Sequence, residues 1–323
     1  MLSDHLLKIL GNHSSIKTSR KLRLKRNRFV RAFQSFSQTL VSLANVVRNR
    51  MTYTCQGSEN LPGKILLTEN SQNTDNIEAL IAHKNVGIAY DFFQKVLKIN
   101  SLDDKGMTII SSVNYSTGYD NAFFDGVQII FGDGTSFKPL GRSLSVIIHE
   151  LGHGVTQFVG PNLAYWSDSG ALNEAFSDIL GISGKHWNTQ DTDPNFSNWL
   201  IGDEIVTPAF PGKAIRSFKN EHAYEGDNQP KFRINYIHTL DDSGGVHINS
   251  GIINYLFYRI CINLKSPSYL DPLQLFWATH KKLWQHSNFD DFKKKLIATS
   301  AEMFSPDSSK HQVILSTLKE VKF

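Results

Sequence analysis

The sequence has 323 residues, 40% of them hydrophobic and 20% charged, with two cysteines; it is long enough for two lobes with a sizeable core and too poor in cysteine for a disulfide framework. No apolar run approaches the ~20 residues that span a bilayer, and the N-terminal "LLKIL" is too short for the apolar stretch of a secretory signal, with no small-residue cleavage site after it. The net charge of +4 hides a split: eleven of the 34 basic residues and one of the 30 acids lie in residues 1–50, a balance of +10 there and −6 in the rest.

Residues 1–50 read as a basic helical arm. Within "KLRLKRNRFVRAFQSFSQTLVSLANVV", Leu22, Leu24, Phe29, Val30, Phe33, Phe36, Leu40 and Leu43 recur at roughly helical spacing among the bases. Such a helix suits an anionic surface, nucleic acid or an acidic partner domain. "GSENLPGK", residues 57–64, reads as a turn or linker. "NVGIAYDFFQKVLKIN" follows as an amphipathic helix, with Val86, Ala89, Tyr90, Phe93, Val96 and Leu97 on one face. "TIISSVNYS" and "VQIIFGDG" read as strands. After Arg142 the chain is mostly helical, with long loops expected at 185–198 and 207–245. Strands first and helices later predict an α+β protein of two lobes.

The chemistry begins in "SVIIHELGHGVTQF", Ser145 to Phe158. Residues four apart share a helix face, so His149 and His153 can grip one metal ion through their imidazole nitrogens. Glu150, one residue round the helix, is better placed to take a proton from water at the metal than to ligate. Gly152 and Gly154 each cost the helix roughly 1 kcal/mol relative to alanine, which suggests close packing. A catalytic zinc keeps three protein ligands and one open position. A third histidine six residues past His153 is absent, because that position is Val159. The next candidate is "SGALNEAFSD", in which Ser169 can cap a helix carrying Glu174 and Asp178 on one face. Glu174 would complete a His-His-Glu set, and Asp178 could hold a ligand imidazole from behind. Two carboxylates on an otherwise apolar helix are costly to bury without such partners.

HELGH followed by GALNEAFSD resembles the thermolysin family of metallopeptidases. "DDSGGVHINSGIINYLFY", Asp241 to Tyr258, is similar to that family's segment bearing a second catalytic histidine, and "YDNAFFDG", Tyr119 to Gly126, to its substrate-binding edge strand. The resemblance spans residues 61–323. It implies a β-rich N-terminal lobe, residues 56–158, with the HELGH helix at the cleft, and a helical lobe, residues 159–323. It implies one zinc on His149, His153 and Glu174, with Glu150 as general base, a role that zinc favours by lowering the pKa of its water to about 7. Tyr165 and His247 would stabilise the oxyanion, Asp242 would orient His247, and Asn121, Ala122 and Arg216 would hold the substrate backbone. Phe137, Leu140, Val146, Ile201 and Ile215 match the pocket for the residue after the cut. All are apolar, so cleavage is expected on the amino side of Leu, Phe, Ile or Val. The implied activity is that of a neutral endopeptidase.

Two departures from the family pattern stand out. The family's double calcium site appears at Ser145, Lys185, Asn198, Leu200 and Asp203. One acid among five, with a lysine, cannot neutralise two calcium ions, so calcium is not expected there. The long secretory pro-region is replaced by the short basic arm, as in the protealysin-like branch. That similarity implies that residues 1–55 are a pro-segment, docked on the acidic body as an intramolecular inhibitor and removed near residues 50–60. A nucleic-acid or membrane tether and an Arg-rich transit peptide are the other readings of the arm, and no nucleic-acid partner is expected. Without a signal peptide, the expected location is cytoplasmic or reached by a non-classical export route. Cys55 reads as a packed thiol or a cap on the zinc, and the nine other histidines as structural or surface residues. The rival reading of the whole chain is a catalytically silent peptidase-fold binding protein; the presence of every expected ligand and of Glu150, Tyr165 and His247 argues against it.

Overall fold

Five strands of the N-terminal half form one mixed sheet. They are β1 (Arg50–Thr54), β2 (Lys64–Thr68), β3 (Ile109–Val113), β4 (Ala122–Phe124) and β5 (Gln128–Phe131), in the order β2-β1-β3-β5-β4. The computed structural model describes residues 1–12, 15–18, 47–71, 73–219 and 221–323. β1, β3 and β5 run parallel, and β2 and β4 close the two edges antiparallel. The expected strands at 108–116 and 127–134 are present in β3 and β5. The parallel centre is covered by α2 (Ile77–Phe92), which packs on β1 and β3, as a parallel sheet requires of its faces. Asn76 caps α2 by accepting the Ala79 amide at 2.9 Å. The helix widens into a π-turn over Phe93–Leu97.

β1 falls inside the span, residues 1–55, expected for the N-terminal segment. Arg50–Thr54 pairs with β2 on one side and β3 on the other, and the Arg50 guanidinium is buried against Glu69 at 2.7 Å. The amphipathic run from Leu22 to Leu43 lies outside the described residues.

The second half is helical: α3 (Leu144–Phe158), α4 (Ser167–Thr189), α5 (Asp242–Leu264), α6 (Asp271–His280), α7 (Phe289–Phe304) and α8 (Ser309–Glu320). α4 packs between α3 and α5. The α3–α4 approach is close because both helices present glycine. A Cβ at Gly152 would stand 3.1 Å from Ser177 Cα, and one at Gly181 only 2.6 Å from the Ser145 carbonyl oxygen. Two expectations shift here. α4 starts at Ser167, so Ser169 lies inside the helix, where its hydroxyl donates to the Trp166 carbonyl at 2.9 Å. α4 also runs on to Thr189, which takes the first residues of the expected 185–198 loop into the helix. The 207–245 stretch is largely irregular, with β7 (Arg216–Ser217) paired to β6 (Leu200–Ile201). Among the described residues no helix is long and apolar enough to cross a membrane.

Among the positions matched to the double calcium site, Lys185 gathers the others around its ammonium group. Lys185 Nζ donates to the Leu200 carbonyl at 3.1 Å and to Asp203, and lies 3.7 Å from Glu204 Oε2. Asn198 donates to Asp203 at 2.8 Å, and the Ser145 hydroxyl accepts the Gly202 amide at 3.2 Å. Glu204, held by the Ser143 hydroxyl at 2.6 Å, joins the cluster; sequence reasoning missed it.

Candidate metal centre and catalytic site

α3 and α4 face each other along their buried sides and bring His149, His153 and Glu174 together. One donor atom from each lies within 4.8 Å of the other two, and all three residues are buried. His149 Nε2 is 3.3 Å from Glu174 Oε2, and His153 Nε2 is 3.3 Å from Glu174 Oε1. The far nitrogens are fixed. His149 Nδ1 donates to Asp178 at 2.7 Å and His153 Nδ1 to the Asn173 side-chain oxygen at 2.8 Å. Both partner atoms can only accept, so each Nδ1 carries the proton and each Nε2 turns a lone pair to the common centre.

These residues fit a metal ion. His149 Nε2 and Glu174 Oε2 are buried with no hydrogen-bond partner, a costly state for donors of this kind unless something else satisfies them. Two imidazoles and a carboxylate are a zinc donor set. The centre is a single His-His-Glu site for one catalytic zinc.

Asp178 sits behind the ligands as a charge hub. Its oxygens accept from Arg216 Nε at 2.7 Å and Nη2 at 2.5 Å, from His149, and from Asn254 at 2.8 Å. Burial would raise its carboxyl, but the Arg216 charge and the hydrogen bonds from His149 and Arg216 outweigh that and hold it at about 2. The same contacts raise Arg216 despite its own burial. Asn173 and Asn254 were not singled out in the sequence. Asn173 lay within the quoted GALNEAFSD, beside a ligand, and could have been found there. Asn254 lies 76 residues from its partner and carried no local signal.

The remaining candidates fall into two groups. Tyr165 and His247 face the metal centre: the Tyr165 hydroxyl donates to Glu174 and lies 3.2 Å from His247 Nε2. His247 Nδ1 donates to Asp242 at 2.6 Å, and Asp242 also accepts the His247 amide at 2.9 Å. Left-handed backbone from Asp242 through Gly245 makes the tight turn that folds this carboxylate back onto the ring. Asn121, Ala122 and Arg216 form the second group. Asn121 directly precedes edge strand β4, and its side-chain oxygen accepts the Ala122 amide at 2.9 Å. β6 and β7 set Ile201 opposite Arg216. Phe137, Leu140, Val146, Ile201 and Ile215 are all buried in the main apolar core.

The chain's own first residues lie in this site. Arg216 Nη1 donates to the Met1 carbonyl at 2.7 Å, and the Leu2 amide donates to Asn121 at 2.9 Å. The Met1 nitrogen is 3.5 Å from Glu150 Oε1. Burial would raise Glu150, but this amine holds it below the usual carboxylate range. Met1, Leu2, Leu6 and Leu7 are buried. The segment continues through α1 (Asp4–Ile9), with His5 Nε2 3.0 Å from the Gly226 carbonyl and Asn12 donating to Asp120 at 2.9 Å. Apolar burial, hydrogen bonds to the backbone and the buried Met1 amine carry this contact. Lys8 makes one exposed ion pair with Asp241 at 3.5 Å, while bases 20–31 lie outside the described residues. Cys55 packs with Tyr115, Tyr119 and Ile130, and burial pushes its thiol up to about 11, the state of a packed thiol.

The model for the thermolysin metallopeptidase catalytic domain matches residues 23–157, and that for the thermolysin metallopeptidase alpha-helical domain matches residues 161–323. An extracellular metalloprotease of Pectobacterium carotovorum subsp. carotovorum is 35% identical over 267 residues, 80% of this chain and 76% of the relative. Protease PrtS of Photorhabdus sp. (strain Az29) is 31% identical over 305 residues, 90% of this chain and 81% of the relative. The solved precursor of protealysin, a metalloproteinase from Serratia proteamaculans, superposes with a TM-score of 0.81 at 31% identity, covering 88% of this chain and 90% of that one.

Asp178→Asn should lower zinc affinity about 10–100-fold, since it loosens the hold on His149. It should also cost about 3–5 kcal/mol of stability by leaving Arg216 buried without its counter-charge. Chelator competition and thermal unfolding measure the two effects, and an unchanged zinc affinity would contradict the role given to Asp178. The carboxyl is held at about 2, below its unfolded value of about 3.9. Its contribution is therefore full above about pH 4 and lost as the pH falls through about 2.

Proposed function

The chain belongs to the thermolysin family of metallopeptidases and is a zinc-dependent endopeptidase; from that premise we propose that it cuts on the amino side of large apolar residues and is made as a precursor whose first residues block the cleft. The observation that carries the reading is the convergence of His149, His153 and Glu174 beside Glu150, with a peptide segment lying across them.

When bound, zinc supplies a Lewis acid that acidifies water and polarises a carbonyl. Glu150 takes the proton of the attacking water and hands it to the leaving amine. Tyr165 presents its hydroxyl to the carbonyl oxygen as it becomes negative, and His247, held by Asp242 through Nδ1, does so from Nε2 when that nitrogen also carries a proton. Asn121 and Arg216 fix the backbone on the carboxyl side of the cut, and edge strand β4 with Ala122 lies alongside. Met1 takes the place of the residue after the cut, since its carbonyl is on Arg216 and the next amide is on Asn121. Its thioether side chain is the kind of group that Phe137, Leu140, Val146, Ile201 and Ile215 would accept. An apolar pocket of this kind contributes about 1.5–3 kcal/mol, enough for preference without strict selection.

The same contacts explain latency. A substrate cannot reach Arg216 and Asn121 while Met1 and Leu2 hold them, so the segment acts as an intramolecular inhibitor that is removed by cleavage. Because β1 is part of the sheet, the cut falls before Arg48, whose guanidinium pairs with Glu69 at 3.1 Å. Lys185 supplies the positive charge at the family's double calcium position, and the enzyme needs no calcium there.

Three experiments test these statements. On a library of peptides, zinc-loaded wild type should cut before Leu, Phe, Ile, Val or Met, whereas Glu150→Gln should keep its zinc and lose activity by at least about three orders of magnitude. Equal activity of the two would refute the mechanism, and acidic or small residues after the cut would refute the pocket. Mass spectrometry during incubation of the purified chain should show a new N-terminus between residues 19 and 48; one within 50–60 would contradict the boundary. Removing calcium with zinc retained should leave Tm unchanged, while Lys185→Met should lower it; a calcium-dependent Tm would contradict the role given to Lys185.

A further inference from the structure

His247 presents its ring from the start of α5, where the helix itself constrains the backbone least. Asp242 through Gly245 are left-handed, so no regular turn of helix precedes it. Asp242 holds the ring and the amide. The opposite end of the residue, its carbonyl, is held by Gln229. Gln229 Nε2 donates to the His247 carbonyl at 2.6 Å and to the Ser250 hydroxyl at 3.3 Å, and that hydroxyl donates to the same carbonyl at 3.0 Å. A carbonyl can only accept, so the nitrogen of the Gln229 amide is the atom that meets it.

Gln229 comes from the irregular 207–245 stretch, and its approach to α5 is built from both sides. Asp227 accepts the Ala223 amide at 2.9 Å and the Gln229 amide at 3.1 Å, and the Lys213 amide donates to the Ala223 carbonyl at 2.9 Å. On the helix, Gly251 leaves the room. A Cβ there would stand 2.8 Å from the Pro230 carbonyl oxygen and 2.9 Å from Gln229 Cβ. The position also carries a cost. Gln229 Oε1 is buried with no hydrogen-bond partner, and such a group costs about 1–3 kcal/mol. An apolar side chain of the same length would avoid that cost and lose both Nε2 bonds.

We infer that Gln229 is a positioning residue for His247, acting on the reacting carbonyl only through that ring. The inference rests on the role given above to His247. Its Nε2, 3.2 Å from the Tyr165 hydroxyl, must meet an oxygen whose charge develops during the reaction. Groups with this task are held within about 0.5 Å, and a misplacement of about 1 Å can cost a hundredfold in rate. Asp242 and His247 lie in one turn, so their bond fixes the ring relative to that turn alone. Gln229 ties the turn to the loop that follows Arg216, whose guanidinium grips a peptide carbonyl. The oxyanion donor and the backbone grip are thereby held in one frame.

A double-mutant cycle on the zinc-loaded full-length chain tests this. Brief trypsin treatment, then blocked, cuts the basic arm of every protein alike, and open sites are counted by titration with a tight-binding hydroxamate peptide. Gln229→Met keeps the length and removes the orphaned oxygen together with the donor; Gln229→Glu keeps the shape and puts an acceptor where the donor was. Each should lower kcat per open site about tenfold or more and leave KM within about twofold. In the His247→Ala background, itself slowed about a hundredfold or more, neither should lower kcat by more than about twofold further. An unchanged kcat in a Gln229 variant, a loss carried by KM, or a full additional loss on top of His247→Ala would overturn the inference. If His247→Ala ran at the wild-type rate, the role of His247 itself would fall; if it is slow and the Gln229 loss is additive, only the positioning role falls.

Discussion

The buried ion pair of Asp178 and Arg216 is the constraint around which the site is built. Asp178 lies on α4, the helix packed between α3 and α5, and its carboxylate is fully enclosed. A lone carboxylate there would be untenable, so three donors converge on it: the Arg216 guanidinium, the His149 imidazole and the Asn254 amide. Each bond also does something else. The one to His149 fixes the tautomer of a metal ligand. The one to Arg216 aims the opposite end of the guanidinium at a peptide carbonyl. The metal ligand His149 and the grip of Arg216 on the Met1 carbonyl are thus tied through one carboxylate. The close contact of α3 and α4 at Gly152 and Gly181 lets the two helices share it.

The same fold gives the cleft its polarity. Asn121 sits before the edge strand of the sheet, and Arg216 sits on the short β6–β7 pair, so the backbone of a bound chain is gripped between the two lobes. Met1 and Leu2 use those grips. The contact combines buried apolar side chains, hydrogen bonds to the backbone and the buried Met1 amine beside Glu150. In the first residues the contact seen is that of an apolar segment entering an apolar groove.

Residues whose roles depend on spacing along one helix were legible in the sequence. His149 and His153 are four apart on α3, and Glu174 and Asp178 are four apart on α4, so pattern and geometry coincide. The two lobes were legible for a similar reason, since strand periods precede helical ones. What was hidden depended on contacts between distant segments. Asn254 reaches Asp178 across 76 positions, and nothing in its neighbourhood announces it. β1 was hidden by its flanks: five residues that complete a parallel sheet follow a run of bases and were absorbed into the arm. Ser169 looked like a helix cap because small polar residues begin helices, yet Ser167 starts the helix two positions earlier. Glu204 stood next to a residue that was considered, and only the folded turn brings it to Lys185.

The central claim is that two imidazoles and one carboxylate, with no thiolate, hold a single catalytic zinc. X-ray absorption at the zinc edge on the loaded full-length chain tests it most directly. The account predicts one zinc per chain, a first shell of nitrogen and oxygen at about 2.0–2.2 Å, and the multiple-scattering pattern of two histidines. A sulfur scatterer at about 2.3 Å, which would place Cys55 on the metal, would contradict it, as would failure of the chain to take up zinc.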